Sequence, residues 1–166
     1  MRILGIDPSL KSTGYGIIDF DHKEYSALQH GVICPSPRLP FPERITWIKN
    51  KIDALMHTFA PDESAIENLF YAGNVKTAII LGQVRGAVLV ALSSNKCPVF
   101  EYSALEIKKA VTGYGQADKN QVKNMVTDLF RLEEKNIPED ASDALAAAFC
   151  HMNCRIFQQK IHNRNK

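Results

Sequence analysis

The sequence has no CxxC pair, no uninterrupted apolar run of bilayer length, no internal repeat, no low-complexity linker and no general excess of positive charge. Each lack excludes something. Without a CxxC pair, Cys34, Cys97, Cys150 and Cys154 offer neither a zinc ribbon nor a redox dithiol, and they read as reduced thiols packed as small apolar residues. Cys150, His151 and Cys154 fall within about one helical turn and are the nearest approach to a zinc set. The apolar stretch Ala78 to Leu92 is interrupted by Gln83 and Arg85, which reads as too short and too polar to span a bilayer. The N-terminus reaches Asp7 after only a few apolar residues, so no targeting segment is expected, and the expectation is a cytoplasmic protein without a membrane partner. The lack of a linker or repeat leaves one domain, residues 1–154, and a short basic tail, residues 155–166.

The missing positive charge matters most for partners. The net charge is +2, from 20 Lys and Arg against 18 Asp and Glu. Four of those bases, Arg155, Lys160, Arg164 and Lys166, lie in the acid-free tail, leaving sixteen bases against all eighteen acids in the body. Nucleic-acid binding therefore cannot be read from the total, and only local clustering can argue it. What is present is ordinary globular material: 166 residues, 45% hydrophobic and 23% charged, enough for one substantial core and unlike a disordered or fibrous chain.

Arg2 to Ile6 is a continuous apolar run suited to a strand covered on both faces. Thr13 to Phe20 and Tyr25 to Cys34 follow as strands joined by polar turns, giving a three-stranded antiparallel meander. From Pro42 onward Ile45, Ile48, Ile52, Leu55, Met56 and Phe59 recur at helical spacing until Pro61. A short strand, Ser64 to Glu67, a long helix from Val75 to Ser94 and a strand from Pro98 to Tyr102 come next, and strands alternating with helices imply parallel pairing. Ser103 with Glu106 forms a capping box, and Asp118 with Gln121 imitates one for a helix whose apolar face is Val122, Met125, Val126, Leu129 and Phe130. A last helix starts near Glu139.

The acids then fall into place. Asp7 ends the first strand and Glu67 the fourth; if those strands are parallel neighbours, both carboxylates emerge at one edge of the sheet. Asp140 and Asp143, three apart in "EDASDALAAAFC", share a helical face near its first turn. Each acid has an ordinary alternative: a hydrogen-bonded turn for Asp7, a solvated strand end for Glu67, helix-dipole acids for Asp140 and Asp143. Together they suit a hard divalent cation, because Mg²⁺ sites combine carboxylates with substrate phosphate, and two such ions can flank a phosphodiester.

The stretches "GIDPSLKSTGYGII", "AIENLF", "LGQVRGA", "VFEYSALEIKKAVTGYGQADKNQV" and "DASDALAAA" carry a resemblance to the RuvC-type Holliday-junction resolvases of the ribonuclease-H-like superfamily, reaching to about residue 151. The ordered set is far more specific than "GIDP" alone. The resemblance implies an α/β, ribonuclease-H-like fold: a five-stranded mixed sheet, antiparallel meander plus two parallel strands, flanked by helices. It implies a crossover junction endodeoxyribonuclease that resolves four-way DNA junctions by paired nicks in recombination and repair, leaving a 5′-phosphate and a 3′-hydroxyl. The family's metal-binding acids fall on Asp7, Glu67, Asp140 and Asp143, with two Mg²⁺ per subunit expected, or Mn²⁺, and Asp7 bridging. Ser9 and Asn68 stand where the family usually has Gly and Gln; neither departure removes a ligand.

The same resemblance places Lys108 and Lys119 near the scissile phosphate, where a cation stabilises the transition state or holds the backbone. Residues 108 to 131 hold Lys108, Lys109, Lys119, Lys123 and Arg131 against Asp118 and Asp128, the local positive stripe that the total concealed. For Lys109 and Lys123 a solvated charge is the safer reading, and Lys123 is carried as a DNA contact within the stripe. Phe70 and Tyr71 follow Glu67, where an aromatic can stack on unpaired bases. Core packing is the commoner fate of an aromatic, and the resemblance favours Phe70 as the base-contacting residue. Ala78, Gly82 and Gly86 form a smooth helix ridge, suited either to packing on the chain's own sheet or to another backbone. The resemblance implies a homodimer across that helix, and RuvA and RuvB branch-migration proteins as partners.

Three other readings compete. A YqgF-like RNA-processing nuclease shares the Asp7 strand, but is not expected to carry Phe70 together with the Lys108 to Lys119 set. An actin-like kinase needs two domains, for which 166 residues are too few. A nuclease-dead junction-binding module sits poorly with four retained acids.

Overall fold

The computed structural model describes residues 1–21, 24–68, 74–132 and 137–164. Three strands, β1 (Arg2–Asp7), β2 (Thr13–Asp21) and β3 (Glu24–Ile33), form the expected meander, followed by α1 (Phe41–Phe59), β4 (Glu63–Glu67), α2 (Val75–Ser94) and β5 (Val99–Tyr102). The chain ends with α3 (Ala104–Thr112), α4 (Lys119–Leu129) and α5 (Glu139–Arg164). Strand order is β3-β2-β1-β4-β5. β1 is antiparallel to β2 and parallel to β4, and β4 is parallel to β5, so the mixed ribonuclease-H-like sheet expected from the sequence is the one observed.

Differences from the expected boundaries are a residue or two, and they arise where hydrogen bonding continues past the apolar run. β1 extends through Asp7 because Asp7 still pairs with Gly14. α1 begins at Phe41 with a proline in its first turn, where the missing N–H costs nothing. It ends at Ala60 in the left-handed conformation (φ 45°), one residue ahead of Pro61. Asp118 and Gln121 form a full capping box, with Gln121 N–H donating to Asp118 Oδ1 (2.9 Å) and Asp118 N–H to Gln121 Oε1 (3.0 Å). α5 runs unbroken from Glu139 to Arg164, so residues 155 to 164 continue the helix that carries Asp140 and Asp143.

Two cores lie on opposite faces of the sheet. Leu4, Ile6, Ile17 and Ile66 pack with Ile48, Ile52, Val84, Val88 and Leu92 of α1 and α2. Ile3, Ile18 and Ala65 pack with Val122, Val126, Leu145, Ala148 and Phe149 of the α3–α5 layer. That second layer sits very close to the strands. A β-carbon at Gly5 would collide with the Ala144 carbonyl oxygen, and one at Gly14 with the Asp140 carbonyl oxygen. Glycine on the sheet and alanine on the helix thus let the first turns of α5 rest on the ends of β1 and β2.

α2 departs from expectation. By length and composition it is apolar enough to cross a membrane (mean hydropathy 1.6), whereas Ala78 to Leu92 read as too short and too polar. Its length exceeds that stretch, and Arg85 lies on its buried flank with Val84, Val88, Ala91 and Leu92, among the core residues. The opposite flank is open: nothing stands within 4 Å of a β-carbon added at Gly82 or Gly86. Packing on the chain's own sheet therefore does not explain this small-residue ridge.

Candidate active site

Parallel pairing decides where the first two acids meet. β1 and β4 run in register from Ile3–Glu63 to Ile6–Ile66, so Asp7 and Glu67 leave the sheet side by side at its carboxyl edge. α5, seated close over Gly14, brings Asp143 to the same edge. Asp7, Glu67 and Asp143 line one cavity of about 360 Å³ together with Pro8, Asn68, Leu81, Lys108 and Lys119. Asp140 stands beside that cavity, near enough for its charge to be felt at Asp7. The turn after Asp7 is tied down, since Thr13 Oγ1 donates to Ser9 O (2.5 Å) and Arg44 Nη2 to Leu10 O (3.0 Å).

The electrostatics are those of an anion cluster short of positive charge. Burial first, then the charges of Asp143, Glu67 and Asp140, push the Asp7 carboxyl up to about 7, with Lys119 opposing. Glu67 is raised by burial and by Asp143, against Lys119 and Lys108. Asp143 is raised chiefly by burial, although Lys119 Nζ stands 3.7 Å from its Oδ2. Lys119 is raised in turn, Asp143 being the main cause. Packing close carboxylates into a partly buried cleft disfavours their charged forms unless a cation joins them.

The donor chemistry fits a hard divalent metal: every acid offers oxygen, and the raised carboxyls mark a charge deficit that a divalent cation would fill. Among the described residues, no three acid, His or Cys side chains already surround one point at coordinating distance. The acids are gathered to the cavity rather than closed into a cage.

Other expected residues fall variously. Lys108 and Lys119 line the cavity. Lys123 is half-buried on α4, one turn beyond Lys119 and outside the lining. Phe70 and Tyr71 lie outside the described residues. The Cys150–His151–Cys154 spacing serves packing instead of zinc. His151 is fully buried, its Nδ1 2.6 Å from Tyr102 Oη and its Nε2 2.7 Å from Glu63 Oε2, with its ring stacked on Phe100 at 4.3 Å. Burial pushes the Cys150 thiol up to about 12, away from thiolate chemistry.

Two features of the site were missed in the sequence. Arg85 Nη1 donates to the backbone carbonyl of Glu67 (2.7 Å), and its Nη2 pairs with Glu101 Oε1 (2.7 Å). Leu81, one turn earlier on α2, lines the cavity. A signal for Arg85 did exist, because it falls on the stripe of Val84, Val88 and Leu92, where an arginine requires buried partners.

Comparison with known proteins finds similarity along nearly the whole chain. The profile of the family Crossover junction endodeoxyribonuclease RuvC matches residues 3–151. A crossover junction endodeoxyribonuclease RuvC of Petrotoga mobilis is 43% identical over 155 residues, covering 93% of this chain and 95% of the relative. Its counterpart from Finegoldia magna is 40% identical over 166 residues, covering 100% and 99%. Among solved structures, T. thermophilus RuvC in complex with Holliday junction substrate superposes with a TM-score of 0.87 at 32% identity, covering 94% of this chain and 96% of that one.

Proposed function

The chain belongs to the RuvC family of crossover junction endodeoxyribonucleases, and on that footing we propose that Asp7, Glu67, Asp140 and Asp143 hold its catalytic metal. The protein is a metal-dependent endodeoxyribonuclease acting on four-way DNA junctions in recombination and repair. The observation that carries the site assignment is the convergence of Asp7, Glu67 and Asp143 with Lys108 and Lys119 on one cavity, where Asp7 is pushed up to about 7. The proposed metal is Mg²⁺, two ions per subunit, with Mn²⁺ as a substitute; when bound it supplies Lewis acidity and an activated water.

The protein's own groups do the rest. Asp7, which feels the charge of each of the other three acids, would hold the metal together with Glu67, Asp140 and Asp143. Lys119, already drawn to within 3.7 Å of Asp143, holds the scissile phosphate and offsets charge that grows in the transition state. Lys108, which lines the same cavity, secures the backbone, and Lys123 extends that contact along α4. Phe70 stacks on bases unpaired at the branch point.

A junction is resolved by two nicks, and one set of acids attacks one phosphodiester at a time. The proposed unit is therefore a homodimer joined through the open ridge of α2, at Ala78, Gly82 and Gly86, with RuvA and RuvB as partners and the cytoplasm as location. The test is cleavage of mobile and fixed four-way junctions beside linear duplex and RNA–DNA hybrid, with Mg²⁺ and with chelator. Junction cutting in paired nicks that chelator abolishes is expected. Preferential cutting of the hybrid would move the protein to RNA processing. A species that sediments as a monomer on DNA while making paired cuts would defeat the dimer.

A further inference from the structure

We propose that Arg85 is a positioning residue for the catalytic carboxylate of Glu67, acting through the backbone. This rests on Glu67 being a metal ligand, as proposed above. The β1–β4 register ends at Ile6–Ile66, so Glu67 stands one residue past the last β1 partner, at the point where β4 gives way to the connection into α2. From Asn68 the chain donates its N–H to Tyr102 O (2.7 Å), which ties it to β5 on one side. Arg85 supplies the other tie. One arm of its guanidinium takes the Glu67 carbonyl (Nη1, 2.7 Å), and the other takes the Glu101 carboxylate (Nη2, 2.7 Å). Its side chain is only 10% exposed, against 44% for Glu101.

Of the five buried residues of α2, Arg85 alone is charged. Burying a guanidinium is costly unless its geometry is fully used, and here the fork spans three elements: α2, the end of β4 and β5. A planar fork with two separated donors does this; a lysine ammonium, with one point of charge, does not. The consequence is a fixed backbone beneath Glu67, so that its carboxylate enters the cavity from one direction. Residues behind the ligands of a metal site typically change metal affinity or activity by about 10- to 100-fold when lost.

The test measures Mn²⁺ binding by the full-length protein without DNA, by titration calorimetry and electron paramagnetic resonance, for wild type, Arg85→Lys, Glu67→Gln and the double variant. Arg85→Lys is expected to bind Mn²⁺ about tenfold more weakly while melting as a folded protein, and to need correspondingly more metal for half-maximal cleavage at unchanged junction affinity. In the Glu67→Gln background the Arg85 substitution is expected to add nothing, since the two act on one ligand. Glu101→Gln, at an exposed position, loosens Arg85 without threatening the fold, and is expected to weaken Mn²⁺ binding in the same direction by a few-fold. Wild-type Mn²⁺ affinity in folded Arg85→Lys, or in Glu101→Gln should Arg85→Lys fail to fold, overturns the proposal. So does an Arg85 effect that persists in full without Glu67. Failure of the ligand assignment itself is read separately, from Glu67→Gln alone binding Mn²⁺ as wild type does.

Discussion

Two glutamates bracket one strand: Glu63 opens β4 and Glu67 closes it. Glu63 is answered on every side, with His151 at 2.7 Å on one oxygen and Arg155 at 3.0 Å on the other. Beyond His151 the chain of contacts continues to Tyr102. Among the described residues, Glu67 has no side-chain hydrogen bond and is held through its backbone carbonyl by Arg85; its carboxyl is raised by burial and by Asp143, with Lys119 and Lys108 opposing. The same residue type, four positions apart on one strand, is a closed structural pair at one end and, among the described residues, a carboxylate with only distant counter-charges at the other. Completed pairing marks a group that holds the fold; an incomplete set of acids in a cleft marks one that awaits a ligand.

The largest effect that can break this contrast is catalytic. Glu67→Gln is expected to lower junction cleavage by about 10³-fold or more with the fold intact, since it removes a metal-binding charge while keeping shape. Glu63→Gln is expected to do the reverse, costing about 1–3 kcal/mol of stability through the weakened His151 and Arg155 contacts while the folded fraction cleaves normally. Single-turnover cleavage beside thermal melts separates them; equal loss of cleavage in both would erase the distinction.

Asp7→Asn sharpens the contrast by pH. Burial and the neighbouring carboxylates hold Asp7 at about 7 in the fold against an ordinary 3.8, so the native state keeps a proton that the unfolded chain has released, and stability falls as pH rises between those values. Asparagine mimics the protonated acid. In chelator, the variant is expected to be more stable than wild type above about pH 7, by at most about 4 kcal/mol at 1.4 kcal/mol per tenfold in proton affinity, with the gain vanishing below about pH 4. Melting curves from pH 4 to 9 test this, and a variant less stable than wild type at pH 8 would show that Asp7 already has its counter-charge. Added Mg²⁺ is expected to stabilise wild type more than the variant.

The smallest expected effect lies outside the acid cluster. Lys123→Ala is expected to weaken junction binding and reduce the slope of log affinity against log salt by about 1, with turnover on saturating junction unchanged. An unchanged slope would leave Lys123 a solvated surface charge.

Much of the fold and of the site was legible in the chain because the signals are local. The apolar run Arg2 to Ile6, the helical spacing from Ile45 to Phe59 and the Ser103–Glu106 cap each depend on neighbours a few residues away. Asp7, Glu67, Asp140 and Asp143 stood out because acids at strand ends and on one helix turn are visible in one dimension. What decides their use is not local. Whether Glu63 or Glu67 is satisfied depends on His151 and Arg155, over eighty residues on, and on how far α5 can settle onto Gly5 and Gly14. Arg85 looked like an interruption of an apolar helix, and only the end of β4 lying beside α2 made it a fork with two acceptors. Sequence periodicity specifies which face of an element is apolar; which polar groups are left without a partner is settled when elements distant in the chain are packed together, because only then are water and its hydrogen bonds removed.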